Sequence, residues 1–220
     1  MDTKLSVLVI APHPDDEAIG CGGTLCLHQA RGDRVHVVFL TSGERFSRDV
    51  PAESIAPLRE AEAEKACQVL AVHGIDFLRL PDLELNEDVG RAAQRLRPVL
   101  ETRPPGVIYV PHPQESHPDH AAALVIVRAA LELCPSAVRV PELRGYEVWS
   151  PLTRYDWVED ITPVMARKLG AVRCYLSQLH RFRYDHAARG LNRYRGILAG
   201  GCRYAEAFVC LDPRTTRESH

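Results

Sequence analysis

The sequence predicts an α/β fold: a Rossmann-like, mostly parallel sheet flanked by helices, in one domain spanning 1–220. Three observations carry this reading. The runs 7–11, 35–41 and 106–110 are apolar, rich in β-branched residues and without alternation, as strands buried on both faces must be. Segments of helical character separate them. The first and last of these runs stop at a proline followed by histidine and acids, so polar clusters fall at strand carboxyl ends, where open α/β sheets bind their ligands.

The elements follow in order. Strand 7–11, VLVIA, passes through Pro12 into His13-Pro14-Asp15-Asp16-Glu17. Three carboxylates so close together repel one another unless a cation or several donors compensate them. Helix capping would need only one of these acids and leaves His13 unexplained. Residues 25–31 read as helix, ended by Gly32-Asp33, and its start lies either near Glu17 or after Gly23. The Gly20-Cys21-Gly22-Gly23 spacing does not match a dinucleotide-binding loop.

Strand 35–41 turns away at Ser42-Gly43-Glu44, and 45–53 is polar and irregular. Residues 57–72 form an amphipathic helix with Leu58, Ala61, Ala66, Val69 and Leu70 for the core, closed by Gly74 as a left-handed cap. A short strand, 76–80, leads to Pro81-Asp82. Helix 87–102 stops before Pro104-Pro105, and strand 106–110 ends in Pro111-His112-Pro113-Gln114-Glu115-Ser116-His117-Pro118-Asp119-His120, with helix 121–133 behind it. Beyond Pro135, strands are expected at 144–149 and 157–161 and helices at 164–180 and 187–198, with a frayed end at 215–220.

Composition excludes several classes. With 45% hydrophobic and 25% charged residues and a net charge of −2, the chain is that of an ordinary globular protein. It offers no basic surface for nucleic acid or an anionic membrane. The apolar run 121–130, interrupted by Arg128, is far short of a membrane span, and MDTKL lacks a signal peptide's basic start and apolar core. Seven cysteines without a CxxC pair read as reduced core residues, Cys26, Cys67 and Cys210 among them, in a cytoplasmic protein.

His13, Asp16 and His120 together make a two-histidine, one-carboxylate ligand set, which catalytic zinc sites use while keeping a position open. Iron(II) accepts a similar triad. With Asp15 left as a base and His117 as a second titratable group, the inventory is that of a metal-assisted hydrolase. His28, His36 and His73 stand alone and read as ordinary surface or core residues.

His-Pro-Asp-Asp-Glu after the first strand and His-Pro-Asp-His after a later one resemble the LmbE/PIG-L family of zinc-dependent N-acetylglucosaminyl deacetylases. The resemblance extends over nearly the whole chain. Arg59-Glu60, Pro81-Asp82, Tyr146-Glu147-Val148-Trp149, Lys168, Ser177-Gln178 and Ala205-Glu206-Ala207-Phe208 fall where that family has similar elements. It implies an LmbE-like fold with His13, Asp16 and His120 as Zn2+ ligands and Asp15 as the base that deprotonates the attacking water. It also implies that His117 stabilises the oxyanion or protonates the leaving amine, that Asp119 holds the His117 ring, and that Arg59 and Asp82 grip sugar hydroxyls.

The implied substrate is a small N-acetylated amino sugar or its glycoside. Members of the family form assemblies, although no apolar stripe here marks a homo-oligomer interface. One departure stands out: some members carry a tyrosine donor before the second motif, where this chain has Gln114-Glu115-Ser116, leaving Tyr146 or Tyr184 as substitutes. Rival readings are a zinc amidase cutting a larger amide of a thiol conjugate, and a sugar-binding relative that has lost turnover.

Overall fold

The structure is a computed structural model that describes residues 4–46, 51–136, 139–199 and 201–214. Five parallel strands alternate with helices: β1 (Ser6–Ala11), α1 (Asp16–Ala30), β2 (Arg34–Thr41), α2 (Ala52–Leu70), β3 (Gly74–Leu80), α3 (Val89–Thr102), β4 (Val107–Pro111), α4 (Pro118–Leu133) and β5 (Glu142–Tyr146). The chain then adds β6 (Trp157–Asp160), a 3₁₀ turn (Thr162–Val164), α5 (Met165–Val172), α6 (Leu176–Leu179), α7 (Tyr184–Leu198) and β7 (Ala205–Leu211). One sheet takes all seven strands in the order β3-β2-β1-β4-β5-β7-β6, with β7 antiparallel to both neighbours. No helix among the described residues is long and apolar enough to cross a membrane.

The unbroken apolar runs have the expected cause. Along β1, Val7, Val9 and Ala11 pack on one side with Cys21 and Leu25 of α1, while Leu8 and Ile10 pack on the other with Leu96 and Ile126 of α3 and α4. Both faces are covered, so neither can be polar.

Because β1 pairs with β4 as well as β2, the strand order reverses between them. That switch point brings two loops a hundred residues apart to one crevice.

Some expectations are settled and others corrected. Helix α1 begins at Asp16, the earlier of the two starts left open, so its glycines lie inside it. Gly20 and Gly23 are required there: a Cβ on Gly20 would stand 2.2 Å from the Tyr146 ring, and one on Gly23 would stand 2.6 Å from Ile161. Helix α2 starts at Ala52 with Pro57 inside, and its inward face carries Ile55, Arg59, Glu62 and Ala63. Leu58 is 51% exposed and Ala61 is also exposed, because two charged residues occupy the buried face in their place. The left-handed cap of α2 is Ala71 (φ 56°), not Gly74, which opens β3 against the His36 ring.

The single helix expected over 164–180 breaks after Val172, where Tyr175 turns inward to donate its hydroxyl to Glu17 at 2.5 Å. β5 ends at Tyr146 rather than 149, and β7 was not among the expected strands. Of the expected irregular segment 45–53, residues 45–46 and 51 are irregular and 52–53 begin α2, while 47–50 and the expected frayed end 215–220 lie outside the described residues. All seven cysteines are free; Cys26 and Cys67 are buried as expected, but Cys210 is exposed.

Candidate active site

β1 and β4 deliver the two motifs by the same device. Each strand ends near a proline, a short loop follows, and a helix begins within a few residues. His117 is the N-cap of α4, its Nδ1 accepting the Asp119 N–H at 3.2 Å, with Pro118 in the first turn. Asp16 and His120 sit in the opening turns of α1 and α4, so the positive ends of both helices face the crevice and favour an anion there. Between β1 and α1, Asp15 takes φ 127°, a conformation costly for a residue with a Cβ.

The three residues of the expected ligand set come together. His13 Nδ1, Asp16 Oδ2 and His120 Nε2 form a nearly equilateral triangle, with sides of 3.3, 3.2 and 3.2 Å. Three donors each bound to one ion in a tetrahedral site stand about 3.3–3.5 Å apart, so the triangle fits a metal without rearrangement. His13 presents Nδ1 because its Nε2 faces carboxylates on the other side: Asp119 Oδ2 and Asp82 Oδ1, each at 3.1 Å. A carboxylate behind a ligating imidazole is the usual way such a ring is oriented.

The electrostatics agree with a cation site. Burial alone would lower the pKa of both histidines, but for His13 the hydrogen bonds to Asp119, Asp16 and Asp82 outweigh it and hold the ring well above its ordinary value. His120 is pushed up to about 9, burial again being outweighed by Asp16. Burial would raise Asp16, but the two imidazoles hold it well below the usual carboxylate range. The carboxylates around the two rings thus favour a cation at this place. Two other groupings have ligand-type atoms within 4.8 Å of one another: His13, His117 and His120, and His13, Asp82 and Asp119.

His13, Asp15, Asp16, Arg59, Asp82 and His117 line one cleft of about 280 Å³, with Asp119 and His120 fully buried behind it. Burial pushes the Asp15 carboxyl up to about 7, partly countered by the Arg59 guanidinium 3.3 Å away. Arg59 is no solvated surface arginine: it is buried, donating to Pro14 O and, at 3.1 Å, to Gly43 O. Asp82 accepts from Arg45 N at 2.9 Å.

One assigned partnership changes. The Asp119 carboxylate accepts from Leu83 N and Leu85 N and meets the His13 ring; the His117 ring takes the Asp119 backbone N–H instead, and meets the rings of His13 and His120. Burial lowers the His117 pKa, and the charges on His13 and His120 lower it further. Of the two tyrosines considered as substitute donors, Tyr184 lines the cleft, while Tyr146 is buried and donates to Ile10 O at 2.8 Å. A larger cavity of about 540 Å³ lies among Ser6, Arg34, His73 and Thr102, at the opposite ends of the strands.

Residues 8–131 match the family described as PIG-L: GlcNAc-PI de-N-acetylase. This chain belongs to the PIG-L family. A probable N-acetyl-alpha-D-glucosaminyl L-malate deacetylase 2 of Bacillus cereus is 30% identical to it, over 85% of this chain and 90% of its own length. A diacetylchitobiose deacetylase of Thermococcus kodakarensis is 31% identical, over 91% and 80%. Among solved structures, the conserved protein TT1542 of Thermus thermophilus superposes with a TM-score of 0.80 at 32% identity, covering 97% of each chain. A 4-oxalmesaconate hydratase of Pseudomonas putida is also similar, 25% identical over 96% of this chain and 91% of its own length.

The late segments that contributed to the sequence resemblance have physical roles. Glu62 accepts from Ser177 N (2.8 Å) and Oγ (2.6 Å), fixing Gln178 at the cleft wall. Lys168 and Glu206 form a fully buried ion pair at 2.6 Å, and Glu206 also accepts from Gly23 N, Thr24 N and Thr24 Oγ1 of α1. Glu115, which the sequence offered only as a place without a tyrosine, takes the N–H groups of Val148, Trp149 and Ser150 and approaches His120 Nδ1 at 3.6 Å. Its place between His112 and His117 was the only signal the sequence held for it.

Proposed function

We propose that this PIG-L chain is a metal-dependent hydrolase that removes the acetyl group from an N-acetylated amino sugar or its glycoside. The observation that carries the reading is the 3.2–3.3 Å triangle of His13, Asp16 and His120 with the buried Asp15 carboxylate in the same cleft. The proposed ion is Zn2+, suited to two imidazoles and one carboxylate with a position open, and Fe2+ accepts the same set. Such an ion supplies Lewis acidity to the acetamide carbonyl and makes water a stronger acid.

The side chains supply the rest. Asp15, with its pKa near neutrality, takes the proton of the attacking water. With Nδ1 occupied by the Asp119 N–H, neutral His117 carries its proton on Nε2, from which it donates a hydrogen bond to the developing oxyanion, while the proton that Asp15 took from water passes to the departing amine. Asp119 keeps the His13 ring in place. Arg59 and Asp82 each serve twice, positioning Asp15 and His13 respectively and offering polar edges to sugar hydroxyls. Seven free thiols fit a reducing, cytoplasmic setting.

The reading is tested by offering N-acetylglucosamine, its malate and inositol glycosides and N,N′-diacetylchitobiose, with free amine and acetate as the readout. Release of both from any of them is expected. No release from all four, with water added to an unsaturated acid instead, would replace the reading by a hydratase.

Replacing His13, Asp16 or His120 by Ala is expected to strip the metal, whereas His117→Ala should retain it and lose rate. Elemental analysis of the purified variants decides between this set and one that includes His117. Arg59→Ala and Asp82→Ala are expected to cost roughly ten- to a hundredfold in kcat/KM on an N-acetylglucosaminide, the range for a hydrogen bond to a charged group. On an acetanilide without hydroxyls the loss should be smaller and confined to kcat. Equal losses on both substrates would remove the sugar contact and leave only the positioning role.

A further inference from the structure

The cleft shares a wall with a second pocket. Trp149 and Tyr184 line both, their rings meeting edge-on with centroids 5.2 Å apart. Beyond that pair lies a space of about 310 Å³ walled by Ile19, Val148, Pro151 and Leu191. No lining residue of this second pocket is charged, whereas the cleft itself is bordered by Arg45, Arg59, Arg181 and three aspartates. Its single amide, Asn192, is 3% exposed: Nδ2 donates to Ala205 O at 2.9 Å, while Oδ1 has no partner among the described residues. That oxygen is itself closed off, so the surface the pocket offers an occupant is set by its apolar and aromatic walls.

Resting on the deacetylase reading, we propose that this pocket is the aglycone subsite and that the aglycone is an uncharged aromatic group, such as a phenyl ring. The acetamide carbonyl must descend to the buried His13 and His120, while Trp149, 46% exposed, stands at the mouth. A group that reaches the second pocket therefore leaves the sugar on its solvent side, as a glycosidic substituent does and an acyl group does not. Ring edges and faces of Trp149 and Tyr184 favour an aromatic occupant. A carboxylate or polyol there would meet no charged partner.

The test compares methyl, phenyl and 4-hydroxyphenyl N-acetylglucosaminides on the wild-type enzyme and on Ala187→Trp, a change at an exposed helical residue that lines the pocket and would fill it. Burying one ring should raise kcat/KM about ten- to a hundredfold over the methyl glycoside, with the hydroxyphenyl compound no better than the phenyl. Ala187→Trp should erase that advantage and leave the methyl glycoside unchanged.

Equal rates for all three glycosides would overturn the proposal, as would equal losses on all three in the variant. An advantage that follows N-acyl chain length would make the acyl group the occupant. Failure of every glycoside to be deacetylated would remove the enzymatic reading, and calorimetric titration with the same compounds would then decide the subsite. Tighter binding of the aryl glycosides that Ala187→Trp abolishes keeps it; equal affinities reject it.

Discussion

Asp15→Asn is expected to keep its metal and lose about 10²–10⁴-fold in kcat, the range for a general base. The amide has the carboxylate's size and can still accept from Arg59, but it cannot take a proton. Asn also tolerates positive φ better than most residues with a Cβ, so the backbone at φ 127° should survive the change. The reason to expect a large effect is the position of the native group. Burial brings its pKa up to about 7, and Arg59 keeps it from rising further, so near neutral pH it both ionises and binds a proton readily. Amine release measured beside metal content is the check. Near-normal turnover in a metal-replete variant would show that water activation needs no base at this position.

The second large effect lies away from the chemistry. Lys168→Met should destabilise the fold by about 3–5 kcal/mol, the cost of leaving a buried charge unpaired. For a chain of this size that lowers Tm on the order of 10 °C. Glu206 would keep the N–H groups of Gly23 and Thr24 but would have no cation against its charge. The double change Lys168→Met with Glu206→Gln should recover part of the loss, since the amide carries no charge but its single oxygen can replace only one of the two that accept from Gly23 and Thr24. Thermal melts of both variants test this. A single variant as stable as the parent would mean that water or another group reaches Glu206.

Much of this site is legible in the sequence because its chemistry is local. β-branched runs that end at proline place His13 and the second histidine cluster at strand ends, and the order of a doubly wound sheet makes β1 and β4 neighbours. What could not be read are the side-chain directions that distant loops decide. Asp119 follows His117 by two residues, so pairing them is natural. The backbone at Leu83 and Leu85 instead draws the carboxylate to the His13 side. Periodicity misplaced Leu58 for a related reason: apolar spacing cannot anticipate that Arg59 and Glu62 are the buried residues, since their partners at Pro14 and Ser177 are remote. Nor does local composition announce that β7 runs antiparallel beside β5.

The buried Lys168–Glu206 pair has a consequence for how the protein is made. Glu206 grips the middle of the helix that begins with Asp16, yet 182 residues separate it from Thr24. At roughly 5–20 residues per second, a ribosome needs on the order of ten to forty seconds to cover that distance. Throughout that interval the nascent α1, with its internal glycines and crowded acids, lacks the carboxylate that anchors it. The first motif translated is thus among the last to acquire its native support, and the emerging chain carries a cluster of acids and a histidine to which any divalent ion in the cell has early access.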